Sequence, residues 1–385
     1  MEISNDINYV GVDDCEIDLF EGQYEVPLGM AYNSYVISDD KTAVFDAVDA
    51  RFGDEWIENI KGVLGDRSPD YFIVLHMEPD HSANIVKFMN EYPKTVIVAT
   101  AKAFGIMKNF YRNEYEDRRI VVADGDELSL GKHTLKFITA PMVHWPEVMV
   151  AYDSYEKVLF SADAFGKFGA NGNTDPEGWD CEARRYYFGI VGKYGVQVQQ
   201  LLKKLAGTEL NMICPLHGPV LTENIEYYID KYNTWSSYEV ESEGVFIAYT
   251  SVYGHTKEAA EILAQRLKDK GCPRVSVADL ARDDMFECVE DAFRHGKLVL
   301  ATTTYNGDIF PFMRTFIEHL KERNYQKRTV AFIENGSWAP MCAKIMRGLL
   351  EGCKDLTFAE NGVRIMSALT AENVNEIDVL AEELR

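Results

Sequence analysis

Four side chains that can bind a metal ion lie within six residues of one another. The stretch reads His76-Met77-Glu78-Pro79-Asp80-His81, so its donors are two imidazoles and two carboxylates. It follows an apolar run at residues 71–75, which has the length and composition of a buried strand, and a helical pattern begins at Ser82. This order predicts a turn at the carboxyl end of a strand, where side chains can converge on one point.

The donor types bear on which metal such a turn would hold. A site of imidazoles with a single carboxylate suits zinc, whereas added carboxylates such as that of Glu78 suit iron or manganese. The alternative is a polar loop whose histidines only cap the helix and form hydrogen bonds. The density of donors favours a metal site.

Three further candidate ligands each follow an apolar run that predicts a strand. His144 follows residues 135–140, Asp163 follows residues 158–162, and His217 follows residues 212–216. A lone histidine after a strand is more often structural than a ligand, so each is weak evidence by itself. His133 lies in a Gly-Lys-His turn, and we expect it at the surface.

Length and charge limit the classes of protein that this chain can represent. Its 385 residues exceed what one core usually supports, so two domains are expected. No apolar run reaches the roughly 18 residues of a membrane span, and the first 20 residues are acidic where a signal peptide would be basic and then apolar. The net charge of −23 argues against nucleic acid and anionic membranes as partners. We expect a cytoplasmic protein.

The seven cysteines are widely scattered, and no two of them form a Cys-x-x-Cys pair. This pattern argues against disulfides, zinc ribbons, iron–sulfur centres and a fused rubredoxin module.

Hydrophobic patterning divides the chain into two parts. In the first, short strands at residues 29–37 and 42–46 precede alternating helices and strands, which predicts two sheets flanked by helices. A helix at residues 221–235 closes this part, and the polar, acidic residues 236–244 form a linker. We therefore predict one domain at residues 1–243 and a second at residues 244–385. The second alternates strand and helix strictly, which predicts five parallel strands covered by helices on both faces.

Ligands of such parallel sheets bind at the carboxyl ends of the strands. The first of these ends reads Thr250-Ser251-Val252-Tyr253-Gly254-His255-Thr256. Hydroxyl groups, a glycine that permits close backbone approach and free N–H groups at a helix start predict a site for a terminal phosphate. The P-loop lysine and the Gly-x-Gly-x-x-Gly pattern of dinucleotide sites are both missing. An ordinary capped helix is the alternative.

Two other strand ends combine aromatic with small polar residues, which suits a flat polar heterocycle between hydrophobic faces. Plain packing within each loop is the alternative. The candidate contacts in the two loops are Thr303, Thr304, Tyr305, Asn306, Gly307, Asn335, Gly336, Ser337 and Trp338.

These motifs together resemble a known family. The His-x-Glu-x-Asp-His turn and the order of the later ligand turns resemble the metallo-β-lactamase fold. With the three flavodoxin-like loops, the whole chain resembles the flavodiiron proteins, also called A-type flavoproteins. The motifs that narrow the resemblance are Val-His-Trp-Pro at 143–146, Ala-Asp-Ala-Phe-Gly at 162–166, Arg-Arg-Tyr-Tyr at 184–187 and Pro-Leu-His-Gly at 215–218.

The resemblance implies a two-domain α/β fold. An αββα metallo-β-lactamase-like sandwich would be followed by a flavodoxin-like, doubly wound, five-stranded parallel sheet. It also implies two iron ions and FMN as cofactors. The first iron would take His76, Glu78 and His144, the second Asp80, His81 and His217, with Asp163 bridging them. In some members the histidine equivalent to His81 is not a ligand.

The resemblance further implies placements for residues around the cofactors. The isoalloxazine ring of FMN would lie among Tyr305, Asn306 and Trp338. Independently of the resemblance, the placement of Tyr32, Trp145 and Lys167 near the ligand turns predicts that they lie close to the metal ligands.

The activity implied is reduction of dioxygen to water, of nitric oxide to nitrous oxide, or of both, and the ligands serve either gas. The electron donor would be a separate partner such as rubredoxin or reduced deazaflavin, and a reduced-deazaflavin oxidase of the same family stays open. The resemblance implies a head-to-tail homodimer or a dimer of dimers. Outside the family, the competing readings are a zinc hydrolase of the metallo-β-lactamase type and an electron-transfer flavoprotein with a degenerate metal domain.

Overall fold

The computed structural model describes residues 2–173, 175 and 178–385, and the chain divides into two compact units. The first unit comprises Met1–Tyr187 with Val196–Asn233, and the second comprises Phe188–Gly195 with Thr234–Arg385. Residues 188–195 and 234–243 thus cluster with the second unit, whereas the predicted boundary at residue 243 placed them in the first. The helix that closes the first part of the chain crosses this division.

The described residues of the first unit form fifteen strands and six α-helices, and a seventh α-helix leads into the second unit. The strands are β1 (Ile7–Tyr9), β2 (Val12–Asp14), β3 (Leu19–Phe20), β4 (Tyr24–Glu25), β5 (Met30–Tyr32), β6 (Tyr35–Ser38), β7 (Thr42–Phe45), β8 (Tyr71–Ile73), β9 (Val96–Thr100), β10 (Arg119–Val122), β11 (Glu127–Ser129), β12 (Thr134–Thr139), β13 (Met149–Asp153), β14 (Val158–Phe160) and β15 (Met212–Cys214). The helices are α1 (Gly53–Leu64), α2 (Pro79–Ser82), α3 (Ile85–Glu91), α4 (Ala101–Tyr111), α5 (Trp179–Tyr186), α6 (Gly195–Leu205) and α7 (Ile225–Ser236).

Two main sheets organise this unit. One has the strand order β1-β6-β7-β8-β9-β10 and the other has the order β11-β12-β13-β14-β15. The run from β7 to β10 is parallel, and so is the pair β14 and β15. The central strands β7 and β14 are buried along their whole length, as expected for strands covered on both faces. The two predicted sheets are confirmed.

The second unit is a parallel sheet with helices. Its strands are β16 (Ser242–Tyr249), β17 (Val275–Asp279), β18 (His295–Tyr305), β19 (Asp308–Ile309), β20 (Thr329–Asn335), β21 (Thr357–Phe358) and β22 (Val363–Ile365). Its helices are α8 (His255–Asp269), α9 (Met285–Arg294), α10 (Pro311–Glu322), α11 (Cys342–Leu349) and α12 (Ala371–Leu384). The parallel strands follow the order β17-β16-β18-β20-β22, which confirms the predicted flavodoxin-like sheet.

Local sequence signals explain several of these boundaries. Helix α10 begins at Pro311, because proline at the first helical position has its backbone angle set for a helix. The same effect moves one boundary. Helix α2 begins at Pro79 rather than at Ser82, so Asp80 and His81 lie on a helical turn and not in an open loop. Strand β13 and helices α5 and α6 were not predicted.

Two further features concern the cysteines and the apolar character of the helices. All seven cysteines are free thiols. Across the part of the chain that the structure describes, no helix combines the length and the apolar character needed to cross a bilayer.

Candidate functional site

The seven predicted ligands come together at the carboxyl ends of strands from both sheets of the first unit. His76 follows β8, Asp163 follows β14, and His217 follows β15. The remaining four lie on the turn after β8, on α2 and in the connection from β12 to β13: Glu78, Asp80, His81 and His144. Parallel strands end at the same edge of a sheet, which is why residues far apart in sequence meet here.

Glu78 and two histidines form a first group with Asp163. The Nε2 atoms of His76 and His144 lie 3.2 and 2.9 Å from Oε2 of Glu78. The same two nitrogens lie 3.4 and 3.0 Å from Oδ2 of Asp163. All four donor atoms therefore face one small volume.

Asp80, His81 and His217 form a second group. The Nε2 atoms of the two histidines are 2.9 Å apart, and they lie 3.2 and 3.3 Å from Oδ2 of Asp80. His81 therefore faces the same point as His217 in this structure.

Asp163 connects the two groups through its two carboxylate oxygens. Oδ2 faces the first group, while Oδ1 lies 3.4 Å from Nε2 of His81 and 4.0 Å from Nε2 of His217. The side chain is only 1% exposed, so solvent cannot take the place of these neighbours. This geometry is that of a carboxylate placed between two cation sites.

The donor set fits two metal ions on two further observations. Bonds of about 2.0–2.2 Å from a metal to nitrogen or oxygen place neighbouring ligand atoms about 3.0–3.4 Å apart, and the separations within both groups are close to that range. Among the described residues, both carboxylate oxygens of Asp80 and Oδ1 of Asp163 are buried without a hydrogen-bond partner. Buried carboxylate oxygens are costly unless paired or bound to a metal.

The electrostatics of the first group show how strongly these side chains interact. Burial by itself would lower the pKa of His76, but Asp163 and hydrogen bonds to Glu147 and Glu78 raise it well above its ordinary value. Burial would raise the pKa of Asp163, yet the surrounding histidines hold it well below its usual range. The carboxylate is therefore ionised at neutral pH and available to a cation.

His81 differs from the three other histidines of the site, whose pKa values are raised. Burial lowers its pKa to about 4, although the nearby carboxylates of Asp80 and Asp163 act in the opposite direction. The ring is therefore neutral at pH 7, which is the form that binds a metal.

Groups outside the ligand set orient the ligands. Glu147 is buried, and its Oε1 accepts hydrogen bonds from Nδ1 of His76 and the backbone N–H of Met77, both at 2.9 Å. Nδ1 of His217 donates to the carbonyl of Ala31 at 2.8 Å. Each bond leaves Nε2 of the histidine free to face the metal site.

Asp46 holds the backbone of the ligand turn. Its Oδ1 accepts from the N–H groups of Leu75 and His76 at 2.8 and 3.2 Å, and burial raises its pKa to about 8. The sequence analysis did not identify Asp46 or Glu147. Asp46 directly follows β7, so its position at a strand end was the available signal.

The predicted neighbours of the ligands are placed as follows. The ring of Tyr32 lies 6.0 Å from that of His217, and the ring of Trp145 lies 5.3 Å from that of His76. Lys167 is buried and forms an ion pair with Asp175. Glu21, in the turn between β3 and β4, was missed. Desolvation of its carboxyl group and the nearby carboxylate of Glu78 raise the pKa of Glu21 to about 7, although the residue as a whole is exposed.

In the second unit, the strand ends enclose a cavity of about 270 Å³. Eight of the sixteen predicted contacts line it: Ser251, Val252, Tyr253, His255, Thr256, Thr303, Asn335 and Ser337. Gly254 has a φ of 100°, a left-handed conformation that suits glycine, and α8 begins at the next residue. The N–H groups of the first turn of α8 are thus presented at the cavity, as a phosphate site requires.

The other predicted contacts lie outside the lining of this cavity, and some have different partners. The hydroxyl of Thr250 is buried and pairs with that of Thr302 at 2.6 Å. The hydroxyl of Thr304 accepts from the N–H of Met341 at 3.0 Å. The remaining six are Gly254, Tyr305, Asn306, Gly307, Gly336 and Trp338. The indole of Trp338 is 90% exposed, so it is free to cover a bound ring.

Two lining residues were missed by the sequence analysis. Ser367 and Ala368 complete the cavity, and both follow β22, the last strand of the parallel sheet. The strand-end rule that selected the other loops would have selected this one too, had it been applied to β22.

One prediction about a histidine was wrong. His133, expected at the surface, has no exposed surface at all. Its ring faces acidic side chains of two separate segments: Asp6 before β1, and Asp153 and Glu156 at the turn between β13 and β14.

Comparison with known proteins gives matches to both units. The profile of the ODP family beta lactamase matches residues 30–218, and that of a flavodoxin domain matches residues 246–346. An uncharacterized protein of Methanocaldococcus jannaschii is 32% identical over 324 residues, covering 83% of this chain and 81% of the relative. The anaerobic nitric oxide reductase flavorubredoxin of Escherichia coli is 30% identical over 346 residues, covering 87% of this chain and 72% of the relative.

A solved structure aligns with the entire chain. The rubredoxin oxygen:oxidoreductase of Desulfovibrio gigas superposes with a TM-score of 0.92 at 25% identity, covering 100% of this chain and 97% of that one. Both units and their order along the chain are therefore shared with that protein.

Proposed function

The chain belongs to the flavodiiron protein family, and from this premise we propose that it reduces dioxygen to water, nitric oxide to nitrous oxide, or both. The reaction takes place at a diiron site that receives electrons through FMN. The protein is thus an oxidoreductase with two iron ions and FMN as its cofactors. The seven side chains proposed as iron ligands are His76, Glu78, Asp80, His81, His144, Asp163 and His217.

The observation that carries this proposal is the position of Asp163. Its two oxygens face different groups of ligands, so one buried carboxylate can hold two metal ions side by side. Two adjacent irons allow one diatomic molecule, or two nitric oxide molecules, to lie between them. Glu78 supports iron rather than zinc, because it adds a carboxylate where zinc sites of this fold use imidazole.

The chain contributes charge and shape to this site. Glu78, Asp80 and Asp163 offset much of the positive charge of two ferrous ions, which explains why three acidic groups are tolerated close together. The rings of Phe20 and Tyr186 lie 5.4 and 5.5 Å from that of His217 and restrict its movement. Reduced FMN and two ferrous ions, when bound, supply the four electrons that reduction of dioxygen to water requires.

In the second unit, we propose that the cavity at the start of α8 holds the phosphate of FMN. The hydroxyls of Ser251 and Thr256 and the free N–H groups of the helix suit a phosphate dianion. Tyr305 and Trp338 expose their rings on neighbouring loops, where they can bound the flavin.

The choice of gas and of electron donor is also a proposal. The E. coli relative is named for nitric oxide reduction and the D. gigas structure for oxygen reduction, so relatives of both kinds support the two substrates. The donor is a separate partner such as rubredoxin or reduced deazaflavin. If the donor is deazaflavin, the protein is a reduced-deazaflavin oxidase of the same family.

Anaerobic analysis of metal and flavin, followed by mixing the fully reduced protein with each gas, tests the proposal. We expect two irons and one FMN per chain and fast reoxidation by at least one gas, and the ratio of the two rates identifies the preferred substrate. Zinc in place of iron, with slow reoxidation by both gases, would indicate a hydrolase of the metallo-β-lactamase type. Reversible flavin reduction without gas consumption after iron loading would indicate an electron-transfer protein.

A further inference from the structure

A separate group of metal-binding side chains surrounds His133 in the first unit. Asp6 lies immediately before β1, His133 lies immediately before β12, and Glu156 lies in the turn between β13 and β14. One ligand atom from each residue lies within 4.8 Å of the other two. The group thus joins segments of both main sheets, because β1 belongs to one sheet and β12 to the other.

The imidazole of His133 is fixed in one orientation. Its Nδ1 lies 3.0 Å from Oδ2 of Asp153, the last residue of β13, and both side chains are fully buried. Nε2 is therefore turned toward Asp6 and Glu156. The diiron site uses the same arrangement, in which buried Glu147 holds Nδ1 of His76 at 2.9 Å and leaves Nε2 facing the metal ligands.

The hydrogen bond of the buried Nε2 of His133 is long. Its nearest carboxylate oxygen, Oδ2 of Asp6, is 3.4 Å away, and Oε1 of Glu156 is 3.9 Å away. N–H···O bonds are normally about 2.7–3.2 Å, whereas two ligands of one metal ion lie about 3.0–3.4 Å apart. The side chains of Asp6 and Glu156 are 21% and 20% exposed, so their carboxylates can move the short distance that binding a metal ion requires.

The charge around His133 also favours a cation. Besides Asp6, Asp153 and Glu156, the carboxylate of Asp39 accepts from the backbone N–H of His133 at 2.8 Å. Among the described residues, Lys132 is the basic side chain that pairs with these carboxylates. Its Nζ lies 2.6 Å from Oδ2 of Asp6. Four carboxylates thus face one ammonium group and one imidazole.

We propose that His133, Asp6 and Glu156 bind a divalent transition-metal ion of the zinc type, with Asp153 as the positioning residue for His133. One imidazole with two carboxylates, and room for water at the partly exposed side, is a ligand set that zinc accepts. The ion has a structural role, because it ties the start of β1 to the hairpin of β12 and β13. Lys132 competes with the ion for Asp6 and turns to solvent when the ion binds.

The test uses the full protein with its iron and FMN in place. It is incubated with Zn²⁺, freed of unbound metal, and analysed for zinc and iron separately. We expect one additional zinc per chain with the iron content unchanged. The double variant Asp6→Asn/Glu156→Gln, which keeps the size of both partly exposed side chains, should lose that zinc and retain its iron.

Lys132→Met should change the zinc affinity in the opposite direction to the double variant. Removing the competing ammonium should tighten zinc binding about two- to fivefold, the range expected for loss of a partly exposed ion pair. If these residues form only a salt-bridge network, neither the wild-type protein nor Lys132→Met should bind the additional zinc. The thermal midpoint should rise with Zn²⁺ in the wild-type protein and in Lys132→Met but not in the double variant.

Two further results would overturn the proposal. One is zinc uptake accompanied by an equal loss of iron, which would place the zinc in the diiron site. The other is equal zinc uptake by the wild-type protein and by the double variant, provided that both melt cooperatively.

Discussion

Glu147 and Asp163 act on the same histidine from opposite sides. Nδ1 of His76 lies 2.9 Å from Glu147, while its Nε2 lies 3.4 Å from Asp163. A neutral imidazole has one donor and one acceptor nitrogen, so the bond to Glu147 selects the tautomer whose Nε2 can bind a metal. Individual atoms of these two acids therefore have separate roles, which can be tested one at a time.

We expect Glu147→Gln to weaken iron binding about tenfold, because it removes the charge that fixes His76 while leaving the ligands in place. Iron retained per chain during competition with a chelator measures this. Glu114→Gln is the control, since the Glu114 carboxylate pairs with Lys108 and Arg119 instead. Equal iron retention in the two variants would mean that Glu147 has no positioning role.

We expect Asp163→Ala to lose iron and gas reduction while keeping FMN, because the bridging carboxylate lies in the first unit and the FMN cavity lies in the second. Metal and flavin analysis of the purified variant measures both cofactors. Iron content equal to that of the wild-type protein would remove Asp163 from the ligand set.

At the scale of elements, the cavity proposed to hold FMN is lined by loops that follow β16, β18, β20 and β22. The strands are buried and regular, whereas the loops present hydroxyl, amide and aromatic groups at one edge of the sheet. A change in one loop should therefore alter ligand binding without unfolding the sheet.

We expect Trp338→Ala to weaken FMN binding about tenfold and to leave iron in place, because an exposed indole is available to stack on the flavin. Flavin fluorescence during titration of apoprotein measures the affinity. Trp338→Phe should restore most of it, since a flat ring is retained. Unchanged flavin affinity in Trp338→Ala would mean that this side chain only packs within its loop.

His295, the first residue of β18, makes the second unit sensitive to acid. Burial lowers its pKa, while its hydrogen bond to the carbonyl of Asp291 acts in the opposite direction. The unfolded chain takes up a proton as the pH falls below about 6.5, whereas the folded chain takes it up only at lower pH, so acid favours unfolding.

We expect His295→Gln to reduce this pH dependence. Between about pH 7.5 and pH 5.5, the free energy of unfolding of the second unit should fall less in the variant than in the wild-type protein. Urea unfolding followed by fluorescence at both values measures it. A parallel fall in both proteins would show that His295 does not titrate differently on folding.

At the scale of the whole molecule, the flavin cavity and the metal ligands belong to different units. Electron transfer between them requires the two to meet. We propose, as family membership implies, a head-to-tail homodimer in which the FMN of one protomer faces the diiron site of its partner.

Hybrid dimers test this arrangement. Asp163→Ala removes the diiron site, and Ser251→Trp fills the FMN cavity, so each variant alone should be inactive. A mixture of the two, allowed to exchange protomers, should regain activity, because one interface combines intact FMN and diiron sites. Equilibrium sedimentation that shows only monomer in the active wild-type preparation would contradict the proposal.

The sequence was enough to predict the main sheets of both units and their order along the chain, and it identified the seven candidate metal ligands, which the family resemblance assigned to iron. The reason is that these features are local. A short apolar run predicts a buried strand, and the first polar residue after the run is a candidate ligand. His76 follows β8 in this way, and His217 follows β15. Nothing distant is needed to recognise either one.

Only the tertiary structure decided which atoms face one another. Three contacts show this. The two oxygens of Asp163 face different groups of ligands, Glu147 orients His76, and His133 is buried near Asp6. Each contact brings together residues that are far apart in the sequence. These contacts depend on sheet register and on the packing of one sheet against the other, which no local pattern encodes. His133 shows this clearly, since its turn sequence is typical of a surface residue and its burial comes from strands that lie elsewhere in the chain.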